Sequence, residues 1–259
     1  MLFARFRYGN LESYGVCGAD RLKRIEGDIF GEHRVLPETL PLSDVTLLAP
    51  VSHPGKVLAA AVNYPSHVTS ARAVLKDEPA PATPQLFLKP SSSVIGPEEA
   101  IVLPGKDARR VDAEGELVAV IGRRCRGVSP EEALQYVFGY TCGNDVSARH
   151  WQRDDLQWWR AKGSDTFCPV GPFIATGLDP ANLELRTRVN GQEAQATNTS
   201  ALIHSTAELI SFASQVMTLE PGDLVFTGTP GVTPTLNAGD VVEVEIGGIG
   251  VLRNPVRAA

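Results

Sequence analysis

The chain has 259 residues, 43% hydrophobic and 21% charged, with a formal net charge of −6, the make-up of a globular enzyme with room for a large core. That acidic balance leaves no basic excess to neutralise phosphates and argues against nucleic acid as a partner. No apolar run approaches the roughly 18 residues of a membrane span, the N-terminus is charged too soon for a secretory signal, and four cysteines (Cys17, Cys125, Cys142, Cys168) lack any C-x-x-C spacing, so a cytoplasmic protein with reduced thiols is expected.

Residues 1–48 read as short strands and turns (LFARFRYG, GNLESYGVCG, RLKRIEGDIFG), expected to form a small β-rich N-terminal domain. LLAPVSHPGK, with two prolines and a glycine, reads as a linker into a main domain over 49–259. KVLAAAVNY is a buried strand ending in a polar turn. PSHVTSARAVLKDEP starts on Pro65, a good first-turn proline, and dissolves into PAPATP, which suits a surface helix or a lid. QLFLKPSSSVIGPEEAIVLP follows as strands broken by turns.

VDAEGELVAVIG is the stretch around which the rest is organised. Leu117 to Ile121 is a continuous apolar run ending at a glycine, as expected of a strand buried on both faces. Just before it, Glu114 and Glu116 are two apart and would project into one space. Two neighbouring carboxylates repel each other and are costly to desolvate, so a divalent cation is the simplest compensation. Oxygen-only ligands suit magnesium, manganese or calcium rather than zinc. The plain alternative is an edge strand with both glutamates in water.

SPEEALQYVFG is a helix with Ser129 as cap and Pro130 at its first position. GYTCGNDVSARHWQ leads from a strand into a helical turn over 146–152. Asp145 stands at that strand end, either as a third carboxylate converging on the two glutamates or as the cap of the turn. Beyond residue 170 strands dominate, interrupted by the helix HSTAELISFASQVMTL with Leu209, Ile210, Phe212, Ala213, Val216 and Met217 on its apolar face. There is no internal repeat and no G-x-G-x-x-G or Walker loop. The expected class is a strand-dominated α+β protein with too few crossover helices for a Rossmann fold or a TIM barrel.

Taken together, NYxxH, E-x-E-L-x-x-V-I-G, GYTxxNDVSAR, Gln152, K-x-x-D-T-F-C-P-x-G-P, VNG, LEPGD and TGTP resemble the fumarylacetoacetate hydrolase family in consistent order from about residue 45 onward. The small N-terminal unit also resembles that of bacterial members. The resemblance implies a mixed β-roll, a homodimer, and Mg²⁺ or Mn²⁺ (Ca²⁺ as a substitute) on Glu114, Glu116 and Asp145. It implies a small-molecule 2-oxo acid substrate that chelates the ion while the ion stabilises an enolate. It places Lys162 at a substrate oxygen, makes Gln152 the amide that holds substrate or water, gives Arg149 a substrate carboxylate, and sets Thr229 in an anion-facing turn.

Three departures qualify that pattern. His67 occupies the family's acid–base position, but Ser70 stands where hydrolytic members usually carry a glutamate, and only Asp77 or Glu78 could replace it. His150 stands where relatives usually carry an aspartate and is read as packing or second in line behind the site. The TGTPG loop is one residue shorter than usual. Hydrolysis of a C–C bond in an acylpyruvate-type or β-diketo acid is expected first, in the catabolism of aromatic ring-cleavage products. Isomerisation or decarboxylation of an unsaturated 2-oxo dioic acid comes next, and a catalytically silent oxo-acid binder is the alternative from another class.

Overall fold

The computed structural model describes residues 1–70, 81–105 and 108–259, apart from the side chains of Thr69 and Ser70. Among these, a twelve-stranded mixed sheet has its main path in the order His33–Pro41, Arg21–Gly27, Leu11–Cys17, Leu2–Tyr8, Cys168–Ala175, Val137–Asn144, Gly115–Ile121, Leu224–Phe226, Val57–Ala61 and Gln85–Lys89. A five-stranded sheet packs against it, formed by Gln192–Asn198, Glu184–Val189, Val241–Ile246, Gly250–Ala258 and Ile101–Leu103. The strand-dominated α+β class follows directly. All helices among the described residues are short, and none is long and apolar enough to cross a membrane.

Gly115–Ile121 lies at the centre and all seven of its residues are buried. It pairs antiparallel with Val137–Asn144 on one side and with Leu224–Phe226 on the other. Its alternate residues serve different cores. Leu117, Ala119 and Ile121 join Leu185, Val244, Ile246 and Leu252 of the second sheet, whereas Val118 and Val120 pack with Phe3, Ile29, Val57 and Phe226. The period of two that sends side chains to opposite faces explains why this run has no polar alternation. Gly115 is required here, because a Cβ would lie 2.1 Å from Thr187 Oγ1.

The N-terminal strands continue the large sheet, since Leu2 and Phe3 pair with Ala175 and Ile174. They also carry a small core of their own in Phe6, Leu22 and Leu40. The helix at Thr206–Val216 is closed by a reciprocal Ser205–Glu208 cap and buries Leu209, Ile210 and Ala213 against the main core. Met217 packs there partly, but Phe212 and Val216 are 42% and 71% exposed. This corrects the wider apolar face expected from the sequence: both residues lie to the flank of the stripe centred on Leu209, Ile210 and Ala213. The capped segment after Ser129 is shorter than expected, a helical turn at Pro130–Ala133 followed by a 3₁₀ turn at Leu134–Tyr136. Pro65–Ser70 is helical as its sequence suggests, and the remainder of that lid or surface helix, with Asp77 and Glu78, falls outside the described residues.

Candidate active site

The two glutamates are held at the entrance of the central strand by backbone pairing. The amide of Glu114 donates to Asn144 Oδ1 at 2.9 Å, and the amide of Asp145 donates to the Glu114 carbonyl at 2.9 Å. The end of Val137–Asn144 is thus fastened beside the start of Gly115–Ile121, and Glu114, Glu116 and Asp145 converge. One carboxylate oxygen from each lies within 4.8 Å of the others, and all three residues are buried. Asp145 caps no helix. The following helix starts only at Arg149, with Ala148 before it and no side-chain cap.

Basic groups enter this cluster. Lys162, on the short helix Trp159–Gly163, is 3% exposed and donates from Nζ to Glu114 Oε2 and Asp145 Oδ2, both at 2.6 Å. Lys89, at the end of Gln85–Lys89, donates from Nζ to Asp145 Oδ1 and to the Lys162 carbonyl, each at 2.5 Å. Burial works against the Lys162 ammonium, but Asp145 and Glu114 outweigh it and hold its pKa up. Burial likewise works against an ionised Glu114, yet Arg149 and Lys162 outweigh it and hold this carboxyl below its ordinary range.

Glu116 differs. Its Oε2 accepts the amide of Gly228 at 2.6 Å. Gly228 has φ +99°, and a Cβ there would lie 2.8 Å from Asn63 Cβ. Burial, then the nearby charges of Asp145 and Glu114, push the Glu116 carboxyl well above its usual pKa. Two buried polar groups beside the cluster are also unsatisfied among the described residues, the hydroxyl of Tyr64 and Nδ2 of Asn144. Tyr64 feels the Glu116 charge, which adds to burial in raising its pKa. Glu116 has no ion pair among the described residues, so the all-oxygen set fits a hard divalent cation at that carboxyl. Such an ion would share the oxygens of Glu114 and Asp145 with Lys162, Arg149 and Lys89, which already engage them.

The cavity over this floor has a volume of about 430 Å³, and its lining includes Glu114, Glu116, Arg149, Gln152, Lys162, His67 and Thr229. Seven of the eight expected site residues therefore line one space, and Asp145 lies immediately beneath it. Arg149 lines the cavity and is also paired within the protein. Four of its five N–H groups are engaged by protein: Nε with Asp112 (2.9 Å), Nη1 with Gln152 (2.8 Å), and Nη2 with Thr233 (2.8 Å) and Glu114. These bonds fix the Glu114 and Gln152 side chains relative to each other and leave one N–H group of Arg149 without a protein partner among the described residues. Its anchor Asp112 is fully buried and also accepts from Arg110, Thr233 and Thr235. Thr229 Oγ1 accepts from Gln195 Nε2 at 3.0 Å.

His67 lies against Gly231, with Nδ1 2.8 Å from its carbonyl oxygen. A carbonyl can only accept, so in the neutral ring Nδ1 carries the proton and Nε2 the lone pair. His150 is at the cavity lining, between Arg153 Nη2 (2.7 Å) and Asp154 (3.3 Å). Trp158 packs edge-on to Phe87 at 5.4 Å in the cavity wall, Trp151 lies under Arg160, and Trp159 is exposed. The cysteines are unpaired, and burial raises the Cys142 and Cys168 thiols, which suits packing rather than nucleophilic attack. Lys89 and Asp112 are the residues that sequence reasoning missed. Lys89 had one faint signal, a lysine directly after an apolar strand and before a proline.

Residues 56–257 match the fumarylacetoacetate hydrolase C-terminal family, and residues 1–50 match the Rv2993c-like N-terminal family. The chain belongs to the fumarylacetoacetate hydrolase family. Within it, the chain is similar to 5-carboxymethyl-2-hydroxymuconate delta-isomerase from Mycobacterium smegmatis, at 44% identity and TM-score 0.92 over 100% of both chains. It is 42% identical to the mitochondrial oxaloacetate tautomerase fahd2 of Xenopus laevis, over 84% of this chain and 70% of that one. It is 31% identical, with TM-score 0.82 over 100% of both chains, to maleylpyruvate hydrolase from Sphingobium sp. SYK-6 in complex with manganese(II) ion and pyruvate. Members of the fumarylacetoacetate hydrolase family are thus enzymes of several reaction types, isomerase, tautomerase and hydrolase.

Proposed function

We propose that this fumarylacetoacetate hydrolase family chain is a divalent-metal-dependent enzyme that moves a proton at the carbon beside the keto group of a small 2-oxo acid, as a tautomerase or isomerase. Glu114, Glu116 and Asp145 would hold the ion, magnesium or manganese, with calcium as a substitute. When bound, such an ion supplies Lewis-acid polarisation of the keto oxygen.

The chain's own residues do the rest. His67 Nε2 takes the proton from carbon and returns it at the new position, with Nδ1 kept protonated by the Gly231 carbonyl. Lys162 holds Glu114 and Asp145 in register and adds positive charge where negative charge develops on the substrate. Gln152, fixed by Arg149, presents its amide N–H groups to the substrate. The Thr229 turn closes the same wall.

The observation that carries this reading is one cavity lined by both His67 and the carboxylate floor of Glu114 and Glu116, with Asp145 converging on them. An imidazole beside a site for a hard cation suits a reversible proton carrier at the carbon next to a keto group. Identities of 44% and 42% to an isomerase and a tautomerase, against 34% and 31% to two hydrolases, support the same order. C–C hydrolysis of an acylpyruvate-type acid, expected first from the sequence, becomes the second reading; the likeness to the manganese and pyruvate complex favours it. The unpaired cysteines support a reducing compartment such as the cytoplasm.

The test is incubation of the purified protein, with Mg²⁺ or Mn²⁺, with the enol form of oxaloacetate and separately with an acylpyruvate. Faster enol-to-keto conversion with no change in mass is the expected result. Release of pyruvate and a second acid from the acylpyruvate, with no effect on the enol, would replace this reading by hydrolysis. Inertness toward both, with oxalate still bound, would leave the silent binder.

A further inference from the structure

The strands Val57–Ala61 and Leu224–Phe226 run parallel, with Ala59 opposite Phe226, and Ala60 and Ala61 at the end of the first line the cavity. Leu224–Phe226 also runs antiparallel to the central strand, with Val118 opposite Phe226, which brings Thr227 and Gly228 beside Leu117 and Glu116. Thr227 donates from its amide (3.0 Å) and its hydroxyl (2.9 Å) to the Leu117 carbonyl, and Gly228 donates its amide to Glu116 Oε2 at 2.6 Å. Asn63 joins the two strand ends. It is 1% exposed, and its Nδ2 donates to the carbonyls of Thr227 and His204, both at 2.8 Å, while its Oδ1 accepts the His204 amide at 2.8 Å. Both N–H groups of the side-chain amide are thereby used inside the fold.

The Thr227 carbonyl and the Gly228 amide belong to one planar peptide unit, so fixing the direction of one fixes the other. The carbonyl end is held by Asn63, and the N–H end faces Glu116. Gly228 does not supply that direction itself. Its φ of +99° is open to glycine, which tolerates the opposite sign about as well. A peptide turned over would set the Thr227 carbonyl oxygen against the Glu116 carboxylate, an acceptor against an acceptor. A larger residue cannot lock the turn, since a Cβ at 228 would meet Asn63 Cβ at 2.8 Å. The residue before Asn63 carries strain as well. Val62 lines the cavity with φ +55°, a conformation that costs a β-branched residue energy and persists only where the surroundings over-determine it. The side-chain bonds of Asn63, together with its carbonyl accepting the Ile203 amide at 2.9 Å, supply that constraint.

We infer that Asn63 is a positioning residue for the ion site: its side-chain amide orients the Thr227–Gly228 peptide so that the Gly228 N–H, rather than the Thr227 carbonyl, meets Glu116. The inference rests on the proposed reading of Glu114, Glu116 and Asp145 as ligands of a divalent ion. Asn63 makes no hydrogen bond to these carboxylates among the described residues and acts through the peptide alone. A carboxylate held by one oxygen keeps the other in a set direction, and removing partners that orient a ligand typically costs about 10–100-fold in metal affinity.

The test is N63A, with N63L as a second variant that keeps most of the side-chain volume, in two measurements. Site-resolved amide hydrogen exchange on the metal-free protein should show Gly228 accelerated about fivefold or more beyond Val225 and Phe226 of the adjoining strand, as the loss of one buried hydrogen bond implies. Titration calorimetry with Mn²⁺ should show affinity weaker by about 10–100-fold. A purely structural role would speed Gly228 and its strand neighbours alike. Equal acceleration of all three amides, unchanged exchange at Gly228, unchanged Mn²⁺ affinity, or failure of both variants to fold would each overturn the inference. If the unaltered protein binds no Mn²⁺, the reading of the floor fails and takes this inference with it. Mn²⁺ binding that both variants leave intact defeats only the role of Asn63.

Discussion

The floor and the mouth of the cavity are built on opposite principles. At the floor every cation is buried and matched: Lys162 bridges two carboxylates, Lys89 supports one of them, and Arg149 is divided among four partners. At the mouth Arg109 and Arg153 are exposed, and Arg153 pairs with Asp154, which is itself exposed. Buried charges are expensive to leave unpaired, so the floor binds its residues to one arrangement and to the stability of the fold. Exposed charges contribute little to stability and are free to serve a ligand. The difference separates residues whose loss should damage everything from residues whose loss should alter only affinity.

The largest expected effect comes from removing the bridging ammonium. Lys162→Met leaves Glu114 and Asp145 facing each other in a buried site, so stability should fall by about 3–5 kcal/mol and kcat by roughly 10²–10³-fold. Chemical denaturation and steady-state kinetics on the enol substrate check both numbers, and an active, stable variant would dissolve the contrast between the two regions. His67→Gln should lower kcat by about 10²–10⁴-fold in the same kinetic assay. Lys89→Met tests whether support behind the floor matters: a loss of about 3 kcal/mol is expected, with weaker Mn²⁺ binding by titration calorimetry.

Glu116→Gln should act in the other direction. The folded state keeps this carboxyl protonated above the pH at which the unfolded chain ionises, so the folded state holds the extra proton. Stability then falls as pH rises from the unfolded value, about 4.3, toward the raised folded value. Replacing the acid by its neutral amide should remove that loss. The metal-free variant should melt a few degrees higher at pH 7 than the unaltered protein, with little difference at pH 4. It should also lose the gain in Tm that added Mn²⁺ gives by binding the folded state. An unaltered Tm at pH 7 would mean that Glu116 is ionised and matched like its neighbours. The smallest effect belongs to the mouth: Arg153→Ala should move Tm by less than about 2 °C, whatever it does to ligand affinity.

The floor was more legible in the sequence than the mouth, for a physical reason. An apolar run of strand length preceded by two carboxylates at the strand period identifies a buried strand and the common direction of Glu114 and Glu116. Asp145 was open between ligand and cap, because both readings put an aspartate between a strand and a helical turn. The helix starting only at Arg149 excludes the cap, and Asp145 lies in the cluster with Glu114 and Glu116. Lys89 lies 56 residues from its partner Asp145, and no local pattern shows that a lysine will be buried. The pairing of Arg149 with Asp112 and Glu114 depends on the same distant packing and is invisible in the sequence. The flank of Thr206–Val216 was misread at Phe212 and Val216 because hydrophobicity alone does not mark where a stripe ends.

One consequence follows from the strand that feeds both cores. Since neighbouring residues of Gly115–Ile121 are locked into separate clusters, the floor cannot open by a local fluctuation that leaves the rest intact. Amide hydrogens along it should exchange only when the whole chain unfolds, among the slowest in the protein. Occupancy of the site should then slow exchange across both sheets together, so a ligand could be detected by labelling far from where it sits.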